Sequence, residues 1–343
     1  MINIKIASSD DKVKWNEFVL SHPQGSYCHL YEWKNILKES YNLSSLYLMA
    51  LDGNNITAVL PITQIKNIKL KKMGVSVAFN GYGGVLQLTK PENKSWEDLF
   101  SEFIFKNTKT TQLELRHLGN QYDSKEKVQE VSMILSIPEN NEILWKSIGS
   151  KRRGQIRKAE KAGVHILEND DINGFYDVYA RNVGRLGTPV HKKLFFQKIK
   201  EHFKERSLFL TANRENTTIG GMLIIDYQLT SANPFASTLQ DYNKYCPNLL
   251  MYWHAIKRAQ NNGFKFFDMG RSQMESGTFN FKKQWGSTPY IIQNHILSKD
   301  TENLNTNVMI YRSEAMQKLS AIWSRIPFTV QKIVGPHIRK YLP

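Results

Sequence analysis

The chain has 343 residues, 41% hydrophobic and 22% charged, which excludes a disordered or fibrous protein and allows two domains or one duplicated architecture. Lys and Arg number 46 against 31 Asp and Glu, a formal net charge of +15. That surplus favours polyanionic partners without choosing among RNA, nucleotide diphosphates and phosphate-bearing lipid head groups. The two cysteines, Cys28 and Cys246, lie far apart and outside any Cys/His spacing, so neither a disulfide scaffold nor a metal site is expected, and exhaustive chelation should leave activity intact.

The N-terminus, MINIKIASSDDKVKW, shows no apolar leader, and no stretch approaches the roughly 18 apolar residues of a membrane span, so a cytoplasmic location is expected. Short amphipathic helices are predicted over Asp10–Leu20 and Tyr31–Ser40, followed by a hairpin, Leu46–Leu51 and Ile56–Ile62, around Asp52-Gly53. Val75–Phe79 reads as a further strand leading into Asn80-Gly81-Tyr82-Gly83-Gly84, then a helix near Ser95–Lys106 and strands at Gln112–His117 and Val131–Ile137. A second hairpin, Ser207–Ala212 and Ile219–Ile224, echoes the first, and a strand at Phe235–Leu239, a helix at Leu249–Asn262 and a strand at Phe264–Asp268 follow it. The same order of elements twice points to an internal duplication and an α/β architecture with mixed sheets.

Between the halves, Asn141–Gly163 carries an apolar stripe of Ile143, Leu144, Ile148, Ile156 and Ala159. Lys151, Arg152, Arg153, Arg157, Lys158 and Lys161 form its other side, either a phosphate-binding face or a solvated one. His191, in the break Gly187-Thr188-Pro189-Val190-His191 before a helix at Lys192–Phe203, is read as a general base, a phosphate donor or a structural residue. The strand at Phe264–Asp268 ends abruptly in Asp268-Met269-Gly270-Arg271-Ser272, and the aromatic-basic run Phe279–Trp285 follows. It sets Lys282 and Lys283 beside an apolar floor that includes Trp285, where low dielectric strengthens an ammonium's pull on a developing negative charge. Amphipathic segments at Val308–Ser324 and Pro327–Tyr341 close the chain, the latter suited to a membrane surface or to packing on the parent domain.

These motifs resemble the FemABX aminoacyltransferases, and more closely the FemAB-related branch associated with exopolysaccharide and protein-sorting (PEP-CTERM) systems. The similar stretches are Trp145–Val164, Gly187–His191, Asp241–Asn248, Phe267–Ser272 and Phe281–Gly286, and the resemblance spans about Ser26 to Tyr290. It implies tandem duplicated GNAT-like acyltransferase domains: residues 1–140, a basic linker helix at 141–165, a second domain at 166–298, and a C-terminal helical extension at 299–343. The implied activity is transfer of an amino acid from aminoacyl-tRNA to an amine of a cell-envelope precursor, such as a peptidoglycan peptide or surface glycan, at the inner face of the membrane. By this resemblance Lys282 stabilises the tetrahedral intermediate. Arg152, Arg153, Tyr242 and Arg271 become candidates for holding a lipid- or nucleotide-linked precursor, with Asp268, Lys283 and Trp285 beside them. Where the family places an acidic base, the strand reads Leu113-Glu114-Leu115-Arg116-His117, so Glu114, His117 or His191 substitutes, or no side-chain base is needed. The acetyl-CoA loop of ordinary GNAT enzymes is replaced by Asn243-Lys244-Tyr245-Cys246-Pro247-Asn248, which disfavours acyl-CoA as donor. No cofactor is expected. The alternatives are an acyl-CoA-dependent N-acyltransferase of an amino sugar and a catalytically silent binding scaffold.

Overall fold

A computed structural model describes residues 2–66, 72–123, 130–299 and 314–342. Contacts divide the chain into unit 1 (Met1–Gly119, Ile292–Lys318, His337–Pro343) and unit 2 (Asn120–Ile291, Leu319–Pro336).

Unit 1 contains β1 (Ile2–Ile6), α1 (Lys12–Ser21), α2 (Tyr31–Tyr41), β2 (Ser44–Asp52), β3 (Asn55–Lys66), β4 (Lys72–Val75), β5 (Leu86–Gln87), α3 (Trp96–Asn107) and most of β6 (Gln112–Gln121). The expected hairpin forms, with Leu48 opposite Leu60 and Ala50 opposite Ala58. β4 and β6 pair in parallel across the α3 crossover, so the sheet is mixed. Alternation along the strands decides which side each residue feeds. Leu48, Ala50, Leu60, Leu113 and Leu115 join Trp96, Phe100 and Ile104 of α3 in one core. Tyr47, on the opposite face, meets Trp15 of α1 and Tyr31 of α2 at ring separations of 4.8 and 5.5 Å. The strand expected over Val75–Phe79 stops at Val75, because Val77 and Phe79 adopt φ of 57° and 71°, outside the extended region.

Unit 2 contains β7 (Glu130–Ser136), α4 (Asn141–Ser147), α5 (Gly149–Lys161), β8 (Val164–Glu168), α6 (Ile172–Arg185), α7 (Lys193–Phe203), β9 (Ser207–Arg214), β10 (Thr217–Tyr227), β11 (Thr230–Thr238), α8 (Pro247–Asn261), β12 (Phe266–Gln273) and α9 (Gly277–Lys283). The start of β13 (Thr288–Ser298) pairs with β7 in unit 2, and its end from Ile292 belongs to unit 1. Within unit 2 the strand order is β13-β7-β12-β11-β10-β9-β8. β10 is the spine, with α6 on one face and α8 on the other. A Cβ at Gly221 would sit 3.0 Å from Phe175 of α6, and one at Gly220 3.0 Å from the Met251 sulfur of α8, so the glycine pair sets how closely both helices approach.

The basic stretch read as a linker lies inside unit 2. Leu144, Ile148, Ile156 and Ala159 enter its core beside Met222, Met251 and Ile256, whereas Ile143 is half exposed. Gly149, at φ 76°, divides the stretch into α4 and α5. Of the C-terminal segments, residues 308–313 lie outside the described residues, and α10 (Glu314–Trp323) and α11 (Phe328–Arg339) are helical. The buried amide of Gln331 donates to Trp323 O at 2.7 Å and Gly184 O at 3.4 Å, which docks α11 on the end of α6. Among the described residues no helix is long and apolar enough to cross a membrane.

Candidate active site

β12 does not stop at Asp268, as the sequence suggests, but continues to Gln273 through an irregularity. Its antiparallel register with β7 shifts between Asp268 and Arg271, and Gly270 takes φ 76°. A residue with a Cβ is disfavoured there. On its other edge β12 pairs in parallel with β11 only as far as Ala232–Asp268, although β11 continues to Thr238. The strands therefore stop pairing at Asp268, which opens sheet-edge backbone beside the irregularity.

α9 delivers Lys282 into this opening. The helix starts at the Ser276 hydroxyl, which accepts from Phe279 N at 3.1 Å, and Phe279 anchors it in the core. Lys282 is 8% exposed; its Nζ donates to Gly270 O at 2.9 Å and to Arg271 O at 2.8 Å, the two carbonyls that the irregularity turns out. Burial pushes its pKa down from 10.5 to about 8; Asp268 opposes the fall and Arg271 adds to it. Asp268, also buried, accepts at Oδ1 from Ser132 Oγ at 2.9 Å and from Gly270 N at 2.8 Å, so it holds the turn and supplies the negative charge that keeps the ammonium. Arg271 Nη1 is 3.6 Å from Glu130. Just after α9, Trp285 is 1% exposed and its ring lies 6.0 Å from Tyr252 and 6.3 Å from Phe281. The Tyr252 hydroxyl donates to Asn233 Oδ1 at 2.9 Å, and burial raises its pKa well above the ordinary value.

The structure thus gathers Lys282, Asp268, Arg271 and Trp285, and it places the other expected residues elsewhere. Lys283 is exposed, its ammonium 5.8 Å from the Phe279 ring. His191 is wholly buried, with Phe195 stacked at 4.8 Å and Phe235 edge-on at 5.7 Å, enclosed by aromatic rings. Glu114 belongs to unit 1, 8% exposed and paired with Arg116 Nε at 2.7 Å. Arg152 and Arg153 turn back onto α4: Arg152 donates to Ile148 O at 3.2 Å, and Arg153 to Trp145 O at 3.3 Å and Lys146 O at 3.1 Å. Their charge compensates the carbonyl end of α4, leaving Lys151, Arg157, Lys158 and Lys161 as the exposed cations of α5. Tyr242 is half-buried, 6.3 Å ring to ring from Tyr245. Sequence reasoning missed Ser132, Asn233 and Tyr252. They come from three other elements, and no spacing along the chain links them to Lys282. A cavity of about 720 Å³ in unit 2, bordered by Arg181, Arg185, Asp241 and Gln331, contains none of the expected site residues.

The site thus combines a partly splayed mixed sheet with a desolvated ammonium at its opened edge, and the sequence comparisons point to a class. Residues 150–283 match the acetyltransferase (GNAT) domain model, and residues 62–215 match the FemAB family model. Over these residues the chain is FemAB-related and GNAT-like. No curated protein matches it. Among solved structures it is similar to FemX, at 14% identity and a TM-score of 0.66, over 90% of this chain and 99% of that one. It is similar to L-PGS from Bacillus licheniformis, at 11% identity and a TM-score of 0.50, over 94% and 100%. It is also similar to a tandem GNAT protein from the clavulanic acid biosynthesis pathway, at 9% identity and a TM-score of 0.50, over 86% and 98%. At such identities the likeness is one of fold.

Proposed function

We propose that the protein transfers an amino acid from aminoacyl-tRNA to an amine of a lipid- or nucleotide-linked cell-envelope precursor, with Lys282 stabilising the oxyanion. The observation that carries this reading is the bonding of Lys282. An ammonium has three N–H donors. Two of them are fixed on Gly270 O and Arg271 O, so the direction of the third is set before substrate arrives. In the reaction the acceptor amine forms a C–N bond to the ester carbonyl, the carbonyl electrons move to oxygen, and the third N–H meets that oxygen. The C–O bond to the ribose then breaks, and the proton lost by the amine balances the one gained by the leaving hydroxyl. With a pKa of about 8, Lys282 is largely charged at neutral pH. A preorganised donor of this kind is worth about 3–4 kcal/mol.

The start of α8 weighs against acyl-CoA as donor. Pro247 has no N–H, and the N–H groups of Leu249 and Leu250 are spent on Cys246 O, which leaves Asn248 alone in the first turn to meet a pyrophosphate. The positive surplus suits tRNA, and the exposed Leu319, Ile322, Ile333 and Val334 of α10 and α11 support peripheral contact with the inner membrane face.

The test titrates the protein with charged tRNA, uncharged tRNA and acetyl-CoA at physiological salt. Salt-dependent binding that is tighter for charged than for uncharged tRNA, with transfer lost in Lys282→Ala, is the expected result. Turnover with acyl-CoA in the absence of tRNA would refute the proposal. Full activity in Lys282→Ala would refute the role of the lysine.

A further inference from the structure

Unit 1 brings together three potential metal ligands that lie far apart in the sequence and that the proposed oxyanion chemistry does not use. Glu97 sits in the first turn of α3, immediately after the Ser95–Asp98 capping box that fixes where the helix begins. His117 follows Leu113 and Leu115 at the two-residue period of β6, and those leucines pack on α3, so His117 falls on the same face. His295 stands two residues before Leu297 of β13, which also packs into the α3 core, and β13 is the neighbour of β6 in the sheet. One helix start and two adjacent strands thus aim three side chains at one point.

One carboxylate reaches both imidazoles, hydrogen-bonded to His295 and close to His117 without a hydrogen bond. Glu97 Oε1 is 3.0 Å from His117 Nε2, and Glu97 Oε2 is 2.8 Å from His295 Nδ1. One potential ligand atom from each residue falls within a single group 4.8 Å across. Ligand atoms on a tetrahedral ion with bonds of about 2.0–2.1 Å stand about 3.3 Å apart, so small side-chain rotations suffice. His117 Nε2 is shielded from solvent, and despite its closeness to Glu97 it makes no hydrogen bond of acceptable geometry. The imidazole rings lie 5.2 Å apart, tilted rather than stacked. Gly84 backs the His117 ring so closely that a Cβ there would lie 2.2 Å from Nδ1, which fixes the ring with Nε2 toward the carboxylate. The His295 side chain is 46% exposed, which gives an ion a route in and leaves room for water in a fourth position.

We propose that Glu97, His117 and His295 form a binding site for a divalent transition-metal ion of the zinc class. Two imidazoles and one carboxylate select Zn²⁺ and its neighbours over Mg²⁺ and Ca²⁺, which prefer all-oxygen shells. The bound ion ties the start of α3 to β6 and β13 and so staples unit 1. The expectation of no metal site rested on spacing along the chain, and these ligands have none to detect because the fold alone assembles them.

The experiment uses the full-length, untagged protein, stripped with a chelator and titrated with ZnCl₂ by calorimetry, alongside Glu97→Gln and His295→Asn. Both substitutions are close in size, and His295 is half exposed, so the folded state is retained; circular dichroism checks this. The expected result is one equivalent of Zn²⁺ bound to the wild type. Each variant should bind it more weakly by at least about tenfold, the minimum loss even outer partners of a metal site cause. Zn²⁺ should also raise the Tm of the wild type alone. No saturable binding, or equal binding by folded variants, overturns the proposal. Because the readouts are binding and stability, failure here leaves the acyl-transfer reading standing.

Discussion

Lys282 carries a cost that can be measured. Its pKa falls from 10.5 to about 8 because burial strips water from the ammonium and Asp268 restores only part of the loss. At about 1.4 kcal/mol for each tenfold change in proton affinity, holding it charged inside the fold costs about 3 kcal/mol relative to the neutral amine. The sign follows from linkage. Below pH 8 both folded and unfolded chains are protonated here and the full penalty applies. Between pH 8 and 10.5 the unfolded chain binds more protons, so wild-type stability gains with rising pH from this group. Lys282→Met, which fits the same volume without charge, removes the dependence. The stability advantage of the methionine variant should therefore be flat below pH 8 and shrink by about 3 kcal/mol as pH rises to 10.5. The two carbonyls left without their lysine donor subtract about 1 kcal/mol each from that advantage, at every pH. Urea denaturation of both proteins at intervals from pH 7 to 10.5 measures the difference, and other titrating groups cancel in the subtraction. A difference that does not change with pH, or that grows as pH rises, would refute the argument that burial perturbs this lysine. Turnover of the variant should fall about 10²–10³-fold at neutral pH, and the gap should narrow above pH 8 as the wild-type ammonium loses its proton.

Gly270→Ala places a side chain at φ 76°, 3.3 Å from Asn233 O and 4.0 Å from the Lys282 ammonium. A loss of about 1–2 kcal/mol by denaturation, with a fall in kcat, is expected. Tyr252→Phe strips the only described donor from Asn233 Oδ1 and should cost about 1–2 kcal/mol in the same measurement, leaving kcat within about tenfold. His191→Ala removes a ring packed among Tyr179, Phe195, Phe196 and Phe235, and about 2–4 kcal/mol of stability should go with it. Residual activity settles its role: a packing residue spares kcat in the folded fraction, whereas loss of a general base lowers it about 10²–10⁴-fold.

What the sequence made legible was whatever repeats or alternates. The paired hairpins, the crossover helices and the stripe of Leu144, Ile148, Ile156 and Ala159 all follow from local periodicity, and all are present. The site was legible only in part, for two physical reasons. Charge along a helix does not say which cations are spent on the backbone, so Arg152 and Arg153 looked like phosphate ligands although they bond the end of α4. A histidine beside a proline turn does not disclose its burial, so His191 looked reactive although aromatic rings enclose it. The apolar floor read around Lys282 was legible because Phe279, Phe281 and Trp285, close in sequence, all join or pack against one core.

The apparent end of β12 at Asp268 is the most instructive difference. A strand that simply ended there would leave Gly270 and Arg271 in a surface loop, with carbonyls turned to water and no reason to bind a lysine. Continuation through an irregularity keeps both residues in the sheet while rotating two carbonyls off the ladder. Unpaired carbonyls at a buried edge are costly, and the Lys282 ammonium satisfies them. An uncharged donor could do the same at less cost. On the proposed function the lysine is better explained by its third N–H than by stability, and the backbone irregularity, the acid at Asp268 and the short helix α9 would jointly aim that donor at an oxyanion.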